Sequence, residues 1–158
     1  MTGSTKALMD ALANPWGWLL ALHILCAVVW VGGMFFALVV VRPSVAVLEP
    51  AQRIALHNRI FRRFFLVIWH AMPLILLSGY AMVFGDYGGF QHLPWNVNAM
   101  QAIGLVMVLV FLAIFFGPWR RFRAAASTAR AAEAAERIRR LILVNLVLGL
   151  IVVVLAAL

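Results

Sequence analysis

Four unbroken apolar stretches, at about 16–41, 64–84, 97–116 and 141–158, constrain this chain more than any other feature. Each is long enough for a helix to cross a bilayer, which takes roughly 20 apolar residues. With 66% of its 158 residues hydrophobic and 11% charged, the chain carries more apolar surface than a soluble core of that size can hold. Lipid is the solvent that accounts for it. The stretches are continuous rather than alternating, which argues against barrel strands, and an open sheet edge cannot face lipid. The expectation is an all-α integral membrane protein, a single domain over residues 1–158, with four transmembrane helices in an up-down bundle.

The flanks of these stretches set an expected topology. Trp16 and Trp18 anchor the start of the first at an interface, and Arg42-Pro43 marks its end. The second opens after Arg62-Arg63 and closes at Gly85-Asp86. The third lies between Pro94-Trp95 and Pro118-Trp119-Arg120-Arg121, and the fourth follows Arg137, Arg139 and Arg140. Of the 13 basic residues, 12 fall in the connections between stretches one and two and between three and four; only Lys6, with Asp10 and Asp86, falls on the other side. Short loops follow the positive-inside bias, so the arginine-rich connections are expected in the cytoplasm of a bacterium and both termini in the periplasm, the chain lying in the inner membrane. That bias explains the net charge of +8 without a nucleic-acid partner. The first apolar run, 15–41, is too long for a signal-peptide core and is expected to be a retained span. Segment 124–140 is alanine-rich, with Glu133 and Glu136 each four residues before an arginine. It is expected as a cytoplasmic helical extension into helix four, its arginines setting topology or meeting anionic lipid. A second short amphipathic stretch is expected at 51–63.

Chemistry-bearing residues are few. His23, Cys26, Trp30 and Gly33 recur at helical spacing and share one face of helix one, where Gly32-Gly33 leaves a strip for a packed helix or a planar cofactor. An ionisable side chain inside a span is costly, so His23 reads as a ligand or proton-handling group, or else as a neutral histidine bonded to a neighbouring helix. Imidazole and thiolate together suit soft or borderline metals such as copper, which gives Cys26 weight beside His23. Helix two holds a second intramembrane histidine, His70, near Met72 and Pro73. Asn145, in helix four, needs a polar partner, most simply across helices. His23 stands 19 residues before Arg42 and His70 seven after Arg63. Those spacings place the two rings roughly 18 Å apart along the membrane normal, too far for one ion. Depth groups His23 and Cys26 with His92 of the helix two–three loop in an outer site. His70 groups with Met34 and Asn145 in an inner one, toward which His57 could fold back. The chain has no GxSxG, P-loop, GxGxxG or CxxC and no carboxylate inside a span, so an enzymatic role is not the leading expectation.

The run Leu22-His23-Ile24-Leu25-Cys26-Ala27-Val28-Val29-Trp30-Val31-Gly32-Gly33 resembles the first-helix signature of the copper-resistance protein D family. Arg62-Arg63, Leu77-Ser78-Gly79-Tyr80, Met100-Gln101, Pro118-Trp119-Arg120-Arg121 and Arg137 to Arg140 with Asn145 fit the same pattern. The resemblance spans about residues 15–155. It implies a membrane protein that binds or transports copper, with His23, Cys26, His92 and His70 as ligands. The superfamily is also similar to the bacterial membrane-bound protoporphyrinogen oxidases, which bind haem b; His23, Trp30, Gly32, Gly33, His70 and Asn145 would then line the cofactor. Met100-Gln101 and Asn145-Leu146-Val147-Leu148 depart from the lysine and the Asn-Glu-x-Pro run of those oxidases. A third expectation is a cofactor-free accessory subunit. Besides the lipid bilayer, a homodimer or a membrane partner protein stays open.

Overall fold

The computed structural model describes residues 13–158, and its regular elements are all helical. Lys6 and Asp10 lie outside the described residues. Helix α1 spans Pro15–Phe35. The Asn14 side chain accepts a hydrogen bond from the Trp16 backbone N–H at 3.0 Å, and Pro15 opens the first turn, where its missing N–H costs nothing.

The expected stop at Arg42-Pro43 is instead a passage. A π-helical stretch, Phe36–Val41, continues α1 into a helical turn at Arg42–Ser44 and a 3-10 turn at Val45–Val47. Pro43 has no N–H to give and would crowd the carbonyl four residues back in an α-helix. The wider register ahead of it, in which the Arg42 N–H reaches Ala37 O, carries the rod through.

Helix α2 runs without a break over Pro50–Gly85. The expected short stretch 51–63 and the second span are therefore one helix, since nothing between them breaks it. Its 36 residues make a rod of about 54 Å, longer than the roughly 30 Å hydrocarbon layer, so one end stands clear of that layer. The turn after it uses Gly88 (φ 68°) and Gly89 (φ 114°), conformations that side chains strain. A 3-10 turn, Phe90–His92, then leads to α3, Trp95–Phe116. Gly117 ends α3 at a point where a Cβ would meet Ala113 O at 2.6 Å. The short helix α4, Pro118–Arg123, turns back, and Ser127 caps α5, Thr128–Leu155, by accepting from the Arg130 N–H. The expected extension and the fourth span are likewise one helix, with Arg137 paired to Glu133 at 3.2 Å and Arg139 paired to Glu136.

Among the described residues, four helical segments are long and apolar enough to cross a membrane: Pro15–Val47, Pro50–Gly85, Trp95–Arg123 and Thr128–Leu155. Helix α1 pairs with α2 in antiparallel register, Trp16 meeting Gly85, His23 meeting Gly79 and Gly33 meeting Phe64. Helix α3 pairs with α5, the Asn96 amide donating to Leu155 O and Met107 touching Gly149. Gly149 also lets Val31 of α1 approach, which ties the two pairs together. Between α2 and α3 the contact is aromatic. Phe65, fully buried, packs on Phe61 and Phe64 of its own helix and on Phe111, Phe115 and Trp119 across the gap, with ring centroids 5.3–6.1 Å apart. Edge-to-face pairs of this kind add roughly 0.5–1.5 kcal/mol each beyond area burial. This block makes the arginine-bearing half of the bundle the better packed one.

Candidate functional site

The polar seat in the other half of the bundle is small and specific. His23 projects from α1 onto α2 at Ser78 and Gly79. Its Nδ1 lies 3.0 Å from Ser78 Oγ, and a Cβ on Gly79 would meet His23 Cε1 at 3.2 Å. The serine provides the bond and the glycine the room. Ser78 is buried, and its Oγ lies 2.7 Å from Leu74 O and 3.2 Å from Ile75 O, the back-bonding common for serine in apolar helices.

This network suits one tautomer of His23. A hydroxyl has one proton, and Ser78 gives it to a backbone carbonyl, which can only accept. With that proton given to the carbonyl, Ser78 Oγ accepts from His23 in the tautomer whose imidazole proton sits on Nδ1. Nε2 keeps a lone pair, the form in which histidine ligates a metal while its other nitrogen is held by an outer partner. Cys26 follows one turn later on α1 and is buried as a free thiol. His23 Nε2 and Cys26 Sγ thus put one imidazole and one thiol donor about one turn apart on one helix.

The remaining predicted residues are placed as follows. His92 is exposed in the turn Phe90–His92, which is held down by Phe90 packing against Tyr80 and Phe84. Among the described residues, no three of His, Cys, Asp and Glu come together as a metal-holding group. His70 is exposed on the outer face of α2, its Nδ1–H donating to Leu66 O at 2.8 Å, so its Nε2 lone pair also stays open. It does not join Met34 and Asn145, which are buried in the bundle. His57 cannot fold back toward His70, because the two share the continuous helix α2 with about 20 Å between them. Its Nδ1–H donates to Arg53 O, and its ring packs on Phe61. His70 stands eight residues before Ser78, so roughly 12 Å separates the two histidine levels along α2. One ion does not bridge that distance.

Trp30 is buried edge-on against Phe111, with centroids 6.2 Å apart. Gly33 lies against Phe64, where a Cβ would meet the ring at 2.8 Å, whereas Gly32 faces outward with nothing near it. A porphyrin at this strip would therefore have room only on the Gly32 side. Asn145 is buried with Oδ1 unbonded, and the Trp69 and Gln101 side-chain nitrogens are likewise buried without partners.

Ser78 and Gly79 were not singled out as site residues from sequence alone. The signal existed: a polar side chain beside a glycine in an apolar span, 15 residues after Arg63, stands about 22 Å above that edge, close to the level of His23.

Helices of this length and apolarity, with a histidine seated on a serine inside them, define a multi-pass membrane protein with a polar site within its spans. The chain belongs to the copper resistance protein D family, whose model matches residues 58–158, more than half of its length. The match takes in His70, His92, Ser78, Gly79 and Asn145; α1, with His23 and Cys26, precedes it. No curated protein and no solved structure matches the chain.

Proposed function

We propose that this protein takes up copper within the membrane, with His23 Nε2 and Cys26 as the inner donors of an outer-leaflet site and His92 as the exposed residue that first meets the ion. The observation that carries this reading is the Ser78 bond, which holds an intramembrane histidine by Nδ1 and leaves Nε2 as the atom that would meet an ion. Membership of the copper resistance protein D family supports copper as the metal. The arginine distribution supports cytoplasmic α1–α2 and α3–α5 connections in a bacterial inner membrane, an up-down bundle, and His23 toward the periplasmic side. Copper bound there is cargo, and passage inward carries it toward the level of His70. Because His70 faces out of the bundle, it serves copper only where a second chain or a membrane partner covers that face.

The test is copper content and an absorption spectrum on protein purified in mild detergent from cells supplied with copper and haem. Wild type is expected to carry stoichiometric copper, lost in His23→Ala. Equal copper in both would overturn the reading. A Soret band lost in His23→Ala would replace copper with haem b, and neither signal would favour a cofactor-free accessory subunit.

A further inference from the structure

At the arginine-bearing end of the bundle lies a cavity of about 540 Å³, within the size range of ligand pockets. Its walls come from the π-helical stretch and turn after α1, the first turns of α2, and the middle of α5. The lining of the cavity is of two kinds. Leu38, Val41, Ile54, Ile60, Phe61 and Ile142 line it with apolar surface, while Arg42, Arg53, Arg139, His57 and Glu136 bring polar groups to the same space.

The charges do not cancel. Glu136 is taken by Arg139 and, at 3.4 Å, by Arg140. Neither Arg42 nor Arg53 forms an ion pair among the described residues. Arg53 is nonetheless held in place, its Nη2 donating to Ala46 O at 2.7 Å and Leu48 O at 3.0 Å. Its Nε–H is buried without an acceptor, so the bonding of this guanidinium is incomplete within the chain. A pinned cation lacking its counter-charge, beside an apolar wall at the edge of a span, is ready for an anion that carries a hydrocarbon tail. Little ordering remains for the ligand to impose. The π-helical stretch contributes Ala37, Leu38, Val39 and Val41 to the wall, so the irregularity forced by Pro43 also shapes the cavity.

We propose that this cavity seats an anionic phospholipid, its phosphate against Arg42 and Arg53 and its acyl chain along the Leu38, Ile54 and Ile142 wall. Arginine suits a phosphate because its planar fork offers two parallel N–H donors; Arg42 can present that fork, while Arg53, whose Nη2 is spent on Ala46 O and Leu48 O, contributes its charge. A zwitterionic lipid presents the same phosphate beside its own ammonium, and so leaves the arginine charge less well matched. The site is separate from the His23 seat and does not depend on copper.

The experiment is native mass spectrometry of the full-length protein released from nanodiscs containing phosphatidylglycerol and phosphatidylcholine in equal amounts. One phosphatidylglycerol is expected to stay bound, in preference to phosphatidylcholine. Arg42→Gln is the primary variant, because Arg42 is exposed and none of its side-chain bonds holds the fold. It should weaken retention about five-fold, the effect of one basic residue near an anionic surface. Arg53→Gln should weaken it further, with the melting temperature measured alongside to register any loosening of the 46–48 turn. Equal retention of the two lipids, or wild-type retention in both variants, would overturn the proposal. So would displacement of the lipid by millimolar inorganic phosphate, since that makes the acyl chain irrelevant and the site one for free phosphate.

Discussion

Removing the Ser78 hydroxyl should weaken copper binding without disturbing the fold. In Ser78→Ala one oxygen is lost from a helix whose backbone bonds do not depend on it, and Gly79 still leaves the imidazole its room. What disappears is the side-chain partner at 3.0 Å that favours the proton on His23 Nδ1. The ring is then free to turn, or to carry its proton on Nε2, the atom that would otherwise bind the ion. Loss of such an outer partner costs roughly 10–100-fold in metal affinity, or about 1.4–2.8 kcal/mol. The assay is competition for Cu(I) against a chromogenic chelator, in detergent at fixed pH, with the melting temperature followed in parallel. Ser78→Thr keeps an oxygen at the same place and should restore most of the affinity. An affinity in Ser78→Ala within two-fold of wild type would refute the tautomer argument. So would a loss that Ser78→Thr does not repair, which would point to packing rather than to the hydrogen bond.

The remaining predictions concern the same helix contacts. Gly79→Val places a branched side chain where a Cβ already meets His23 Cε1 at 3.2 Å, so the ring must leave its seat and copper affinity should fall at least as far as in Ser78→Ala; unchanged affinity would sink the seat. Gly149→Leu drives atoms into Val31 and Met107, whose nearest carbons stand 2.8 and 3.2 Å from the new Cβ; overpacking of this kind costs about 1–3 kcal/mol and should lower the melting temperature. Asn145→Leu replaces a buried side chain whose Oδ1 bonds nothing with an apolar one of similar volume, so stability should hold within about 1 kcal/mol or rise. A large fall in melting temperature would show that Asn145 bonds across helices after all.

The sequence by itself determined the class of the fold. Runs of about 20 apolar residues leave the backbone no partner but itself, so helices were the only outcome, and the arginines at their ends marked where the apolar layer stops. It also pointed to His23 as the group that most needs a reason to lie in a membrane. What it missed depends on register between distant parts of the chain. Whether Arg42-Pro43 ends a helix or passes through a π turn is decided by which carbonyl the Arg42 N–H can reach, and apolar patterning does not reveal that. His23 and Ser78 are 55 residues apart, and only the antiparallel seating of α1 on α2 brings their atoms within bonding distance. His70 could be assigned a depth from residue counts, but the side of α2 it faces was settled by which faces α1 and α5 cover. The cavity around Arg53 was hidden for the same reason: residues 37–61 and the distant segment 132–142 build it together, and each alone reads as an ordinary arginine-rich flank.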